Sequence, residues 1–407
     1  MRIVHVITRM ILGGAQENTL LTVQGLQERG HDVLLVTGPA LGPEGELLEE
    51  SRRSGVRVEI VDSLRREIHP VRDLKATIAL RRLLRRERPQ VVHTHSSKAG
   101  IIGRAVAAGL KIPVVIHTIH GLPFHPYQSA LLRTFYIGLE RRAARWTDRL
   151  ITVADAMADQ ASRVGISTPD RYTTVYSGME VDRFLAAGRC RKIPEEWNSL
   201  GIGPEHRLVT TVARLAPLKG HDDLLEMAPR IVRRYPEVRF LFVGSGELQA
   251  NLEQRVAELG LGDHVIFAGL TPAVRIPEIL GASDLVVHPS YREGLARVLP
   301  QAILAGVPVI TYDLDGAGEI VEEEISGSLI SPGHREEMEA KILSYLARRD
   351  SSGRIERVDE SARLRVANRF RSEVMVEEIE KVYDQEMKRR RSSGDLCRSD
   401  FAYGVTS

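Results

Sequence analysis

The chain has 407 residues, 43% hydrophobic and 27% charged, enough for two ordinary globular cores at about 150 residues per domain, and this balance excludes wholesale disorder. Its two cysteines, Cys190 and Cys397, argue against a disulfide framework or a Cys-based metal site and fit a reducing compartment. The net charge of +2 is uneven: residues 1–185 hold 26 Lys/Arg against 19 Asp/Glu, and the remainder holds 30 against 35.

The N-terminal run MRIVHVITRM enters a strand directly and lacks the apolar core and cleavage site of a signal peptide. No apolar stretch reaches the ~18 residues of a membrane span, so the expectation is a cytoplasmic protein, at most peripheral at the inner face of the membrane. Apolar strand runs then alternate with amphipathic stretches, the pattern of βαβ units in parallel sheets. Strands are predicted at 3–7, 33–37, 56–61, 91–94, 114–118 and 150–153, with helices at 15–29 and 74–86 among them. The basic face of the second helix, Arg81, Arg82, Arg85, Arg86 and Arg88, is either solvated surface or a site of attraction to an anionic membrane or a phosphate-bearing acceptor. Aromatic residues make up 5%, too few for a nucleic-acid stacking platform.

Between 182 and 206 the alternation breaks into a segment rich in Gly, Pro and charge, which predicts a first domain over 1–185 and a linker over 186–206. A second doubly wound domain is predicted over 207–371, with strands at 208–212, 240–243, 265–267, 285–288, 307–310 and 328–330. A helix over 372–388 follows, expected to pack back on the first domain, and the tail 389–407 reads as disordered. Two such domains facing each other would surround one cleft with the carboxyl ends of both sheets, where open α/β folds bind ligands.

Several strand ends carry candidate chemistry. Gly13 and Gly14 follow the first strand without the G-x-G-x-x-G of a dinucleotide site. HTHSSKAG puts His93, His95 and Lys98 where acceptor hydroxyls or phosphate could bind; His-x-His without nearby acids carries little zinc signal, and no metal is expected. IHTIHG adds His117, His120 and Gly121 at the next strand end, as structural residues or as hydroxyl-binding ones. In the segment 125–146, Leu131, Leu132, Phe135, Tyr136 and Leu139 alternate with Arg133, Arg141, Arg142 and Arg145, either core or a peripheral contact with a lipid-linked acceptor. ARLAPLKG sets Arg214 and Lys219 on one loop, a planar fork and a mobile point charge able to close on a diphosphate. PSYREGLARVLPQ places Glu293 and Gly294 before a helix whose first amides suit phosphate oxygens. Gly244 in VGSGEL lets backbone approach a ligand, and VIFAG offers a strand edge.

In that order and spacing, LGGAQ, RLAPLKG, VGSGELQ with VIFAG, and the EG turn before QAILAGVPVI resemble the retaining glycosyltransferases of family four, over residues 1–388. The resemblance implies the GT-B fold of two facing Rossmann-like domains. It implies that Arg214 and Lys219 contact a donor diphosphate, that Glu293 meets the donor sugar beside the anomeric carbon, and that backbone of Gly294, Leu295, Ala296, Arg297 and Val298 supports sugar and phosphate. Phe267 and Ala268 would hold the base, Gly14 would approach the phosphates, and His120 would face sugar and acceptor. Two positions depart from the family pattern. Gln301 stands where a second Glu usually binds ribose, leaving a weaker acceptor, and Ala296 stands where glycine is common.

The function so implied is metal-independent, retaining transfer of a sugar from a nucleotide diphosphate sugar, by default a UDP-sugar, to a hydroxyl acceptor in surface polysaccharide or glycolipid synthesis. No carboxylate pair for double displacement is identified, so a same-face displacement is expected. The rivals are a nucleotide-sugar epimerase, which would need no acceptor, and an inactive nucleotide-sugar-binding regulator.

Overall fold

The computed structural model describes residues 1–40, 47–190, 197, 200–348, 350 and 355–392. The chain divides into two compact units, one of residues 1–179 with the segment from Ser372, the other Glu180–Arg371.

The first unit is built on seven parallel strands: β1 (Arg2–Arg9), β2 (Asp32–Gly38), β3 (Arg57–Ile60), β4 (Val91–His95), β5 (Val114–Ile119), β6 (Arg149–Thr152) and β7 (Tyr172–Thr174). Their spatial order is β3-β2-β1-β4-β5-β6-β7, so the direction of winding reverses between β1 and β4. Strands β1 and β4 are buried along their centres, so β1 reads as a mostly apolar run, while β4 buries His93, Thr94 and His95 along with its valines. Between the strands lie α1 (Gly14–Glu28), α2 (Leu48–Arg53), α3 (Pro70–Glu87), α4 (Ser97–Gly109), α5 (Ala130–Ala144) and α6 (Asp155–Arg163). Helix α3 starts earlier than periodicity suggests, because Pro70 fits the first helical turn and the His69 ring accepts the Arg72 amide.

The second unit has six parallel strands: β8 (Arg207–Val212), β9 (Val238–Val243), β10 (Val265–Gly269), β11 (Leu285–His288), β12 (Val309–Tyr312) and β13 (Gly327–Ile330). The order β10-β9-β8-β11-β12-β13 repeats the same plan, with its reversal between β8 and β11. A single core of Val209, Phe240, Val287 and Ile310 is closed by Leu224, Met227 and Ile231 of α8 (His221–Arg234) and by Met338 and Ile342 of α12 (Arg335–Ala347).

Two predicted boundaries differ from the structure. The break expected after residue 185 falls inside helix α7 (Val181–Cys190), which packs on α10 (Ile276–Ala282) and α11 (Val298–Leu304) in the second unit. Gly188 is there for close packing, not as a breaker: a Cβ would lie 2.6 Å from the Ala305 carbonyl oxygen. The tail expected to be disordered from 389 begins as helix, since α14 (Ser372–Ser392) continues past that point and Arg390 pairs with Asp148 at 2.6 Å; residues 393–407 lie outside the described ones. Helix α14 packs on α1 and inserts Met375, Ile379, Val382 and Tyr383 into the first unit's core.

Candidate functional site

In the second unit the loops after β8, β9 and β11 meet at the carboxyl end of the sheet, at the reversal point where open α/β sheets bind ligands. The Leu215 amide donates to Ser245 O (3.1 Å), the Leu248 amide to Leu215 O (2.9 Å), and the Tyr291 amide to Leu218 O (2.8 Å). Glycine is required at two crossings. Gly244 has φ 139° and its Cβ would sit 2.1 Å from Ala213 O; Gly220 has φ 74° and its Cβ would sit 2.0 Å from Pro289 O. The loops are thus pinned to one another by backbone, and their side chains inherit that rigidity.

Those loops bring Lys219 onto Glu293, Nζ to Oε1, at 2.5 Å. His288 joins them, its Nε2 3.0 Å from the same oxygen. The Glu293 amide donates to Asp315 Oδ2 (2.8 Å), so a carboxylate that sequence reasoning overlooked fixes this turn. Burial alone would push the Glu293 carboxyl up, but the Lys219 ammonium and the His288 donor outweigh it and hold it well below the usual carboxylate range. An ionised carboxylate only accepts, so His288 must carry its proton on Nε2. The turn is braced by Tyr291 and Tyr312, whose hydroxyls both donate to Asp223 Oδ2 at 2.6 Å.

Arg214 is exposed, and its guanidinium has no partner among the described residues. The amides of Gly294, Leu295, Ala296 and Val298 likewise make no hydrogen bond among the described residues. The Gln301 side chain, on α11, is also unengaged, and Phe267 packs edge-on against Phe242 with ring centres 5.6 Å apart. Strand β10, which carries Phe267 and Ala268, is outermost in its sheet and leaves one backbone edge unpaired there.

In the first unit a cavity of about 280 Å³ is lined by Ala15, Ser96, His117, His120, Gly121 and Glu140 among others, with Gly14 next to it at the start of α1. Behind it lies a buried ion pair, Arg104 Nη2 to Glu140 Oε2 at 2.7 Å. His117 is buried and bonds Thr94 Oγ1 at 2.9 Å; burial, then the nearby Arg104 charge, push its imidazole well down. His93 and His95 do not present themselves to a ligand as expected. Both are buried, with both ring nitrogens engaged by Tyr383, Thr118, His5 and His120. Lys98 is committed as well, to Asp73 at 2.5 Å and to the Glu67 carbonyl. His5, His93 and His95 each place a nitrogen within 4.8 Å of the others, close enough for a metal ion, yet these nitrogens already bond one another and Tyr383.

Comparison with known proteins agrees with this layout. The family model described as "Glycosyl transferases group 1" matches residues 192–365, and that described as "Glycosyl transferase 4-like domain" matches 13–178. The chain belongs to the group 1 glycosyltransferases. A UDP-Gal:alpha-D-GlcNAc-diphosphoundecaprenol alpha-1,3-galactosyltransferase of Escherichia coli is 29% identical to it over 385 residues, 94% of this chain and 96% of the relative. The capsular polysaccharide biosynthesis glycosyltransferase CapM of Staphylococcus aureus is 23% identical, over 90% of this chain and 93% of the relative. Among solved structures, Anabaena HepE in complex with UDP-glucose superposes with a TM-score of 0.78 at 20% identity, covering 95% of this chain and 100% of that one. The transferase therefore has the GT-B fold.

Of the residues singled out from sequence in this glycosyltransferase, Lys219, Glu293, Gly294, Leu295, Ala296 and Val298 fall together at one sheet reversal, with Arg214 and Gly244 on adjoining loops. His288 and Asp315 went unnoticed. His288 had a legible signal, a strand-end imidazole five residues before Glu293, whereas Asp315 reaches its partner from a different loop and had none.

Proposed function

We propose that this transferase moves a sugar from a UDP-sugar, with retention and without a metal, to a hydroxyl of a lipid-linked saccharide. The observation that carries the reading is an exposed Arg214 on the loop of Lys219, with no partner among the described residues, and the amides of Gly294, Leu295, Ala296 and Val298, which make no hydrogen bond among those residues. Cations and amides so arranged match the oxygens of a diphosphate. The bond from the anomeric carbon to the diphosphate oxygen breaks, and its electron pair leaves with UDP. The acceptor oxygen bonds to the same face, and its proton passes to the departing diphosphate oxygen. Arg214 and Lys219 stabilise the charge that develops there, taking the part a divalent cation would otherwise fill.

Glu293 accepts hydrogen bonds from donor-sugar hydroxyls, Gln301 from the ribose, and the free edge of β10 at Phe267 and Ala268 meets the base. Arg297 lies at the phosphates, and in the first unit His120 hydrogen-bonds an acceptor hydroxyl. The E. coli relative acts on a diphosphoundecaprenol-linked sugar, which supports the acceptor class. So does α5, which presents Leu131 (84% exposed), Leu132 and Phe135 to solvent beside Arg133, a face suited to an anionic lipid surface at the inner leaflet. No described helix is long and apolar enough to cross a membrane.

The test is turnover of UDP-sugars by Arg214→Ala and Lys219→Ala. Each is expected to lose about a hundredfold in kcat, and near-normal rates in both would overturn the assignment.

A further inference from the structure

The first unit's cavity, at about 280 Å³ just under the ~300 Å³ where small-molecule pockets begin, is lined by two nearly buried polar side chains that the proposed transfer leaves unused. Glu140 on α5 is 5% exposed and His117 on β5 is 3% exposed. The carboxylate is held from one side. Its Oε2 takes Arg104 Nη2 at 2.7 Å, and the fully buried Arg104 is fixed in turn through its Nε, which donates to Gly100 O at 2.9 Å. Glu140 Oε1 has no partner among the described residues, where a buried polar atom is ordinarily bonded.

His117 is placed in the same way. Its Nδ1 lies 2.9 Å from Thr94 Oγ1, and that hydroxyl donates to Ile116 O at 3.3 Å. A hydroxyl has one proton, so Thr94 must accept from His117 Nδ1–H. Burial, then the Arg104 charge, keep the ring neutral, and a neutral ring with its proton on Nδ1 presents a lone pair at Nε2. That nitrogen makes no hydrogen bond among the described residues. Gly100 on α4 leaves room for both groups: a Cβ there would meet His117 Cε1 at 2.5 Å and Arg104 Nη2 at 3.4 Å.

The two open atoms are therefore both acceptors, one of them on a charged group. A ligand that satisfies them must donate, as hydroxyls do, and a carboxylate or phosphate set against them would add like charge without supplying a proton. We propose that His117 and Glu140 form a sugar subsite, accepting hydrogen bonds from two hydroxyls of one ring, so that the cavity takes a neutral saccharide and turns away a uronate or a phosphate. Calling that saccharide the acceptor rests on the function proposed above; the binding chemistry does not. The starts of α1 and α4, which line the cavity at Ala15 and Ser97, would draw a phosphate instead, which makes inorganic phosphate the probe to set against a neutral sugar.

The experiment is saturation-transfer proton NMR of the full chain, without donor, against neutral methyl hexosides and N-acetylhexosaminides and against methyl glucuronide, with inorganic phosphate as competitor. In the wild type at least one neutral glycoside is expected to bind at least about tenfold more tightly than the glucuronide, and equimolar phosphate should not displace it. His117→Leu should weaken the neutral glycoside about tenfold, and His117→Gln, which offers an acceptor oxygen, should restore part of that. Glu140→Gln keeps an acceptor but removes the charge. It should bring the glucuronide to within a few-fold of the neutral glycoside, a gain that damage to the fold does not produce. If Glu140→Gln does not fold, the two His117 variants decide.

No binding by any neutral glycoside would overturn the proposal. So would a glucuronide or phosphate that binds as well as the neutral sugar in the wild type, or neutral binding that His117→Leu leaves unchanged. Transfer from UDP-sugars to the glycosides that bind is measured separately. Binding with this pattern and no transfer to any of them would remove the acceptor reading and leave the subsite standing.

Discussion

The contact between Lys219 and Glu293 makes the proposed donor site oppose its own ligand. Both side chains are about three-quarters buried (24% and 22% exposed) and lie 2.5 Å apart. Charges this close attract by roughly 4 kcal/mol or more at an effective permittivity of about 20. Desolvation returns most of that, leaving about 1–2 kcal/mol, between the values for exposed and fully buried pairs. To engage a diphosphate Lys219 must give up part of this. Glu293→Gln keeps the shape and removes the competing charge, so UDP should bind about 5- to 30-fold tighter while sugar transfer falls. Lys219→Ala should weaken UDP, and the double variant should bind UDP as Lys219→Ala does. Calorimetric titration of the four proteins with UDP gives the cycle directly. Weaker UDP binding by Glu293→Gln, or the same Kd with and without Lys219, would refute the reasoning. The pair also has a pH signature. The Glu293 carboxyl is depressed in the folded state, so its stabilising contribution is complete above the ordinary 4.5 and is lost as pH falls below it.

Gly244→Ala should cost about 2 kcal/mol or more in denaturant unfolding, because its Cβ would meet Ala213 O at 2.1 Å in a left-handed backbone. His221 is buried, and burial, then His288 and Lys219, lower it to about 4. The unfolded chain takes its proton from pH 6.5 downward while the folded one refuses it until 4, so this group removes about 3 kcal/mol across that window. His221→Phe should flatten that part of the stability–pH curve relative to wild type. Glu140→Ala should cost about 3–5 kcal/mol by stranding the fully buried Arg104, and the double change with Arg104→Met should recover much of it in thermal unfolding.

The second unit's candidate site was legible because its parts are short-range. Lys219 follows β8 by a few residues, Glu293 follows β11 by five, and glycines mark the crossings. Resemblance to a family then supplied the roles that spacing alone left open. The first unit was harder to read. His93 and His95 sit at a strand end, where ligands are the natural expectation, but their partners His5 and Tyr383 are 88 and 290 residues away from His93, and only the β1–β4 register and the return of α14 bring them inward. Helix α7 hid for a related reason: Gly188 reads as a breaker until the Ala305 carbonyl is seen against it. Leu131 and Phe135 show the reverse, apolar residues that suit a core and lie in solvent.

Helix α14 sets a timetable for synthesis. The first unit needs Met375, Ile379, Val382 and Tyr383, yet the ribosome makes them only after all of 180–371. At about 5–20 residues per second, the nascent first unit waits roughly 10–40 seconds with an uncovered apolar seam. During that interval it is a client for chaperones, and the second unit can mature first although it is translated later.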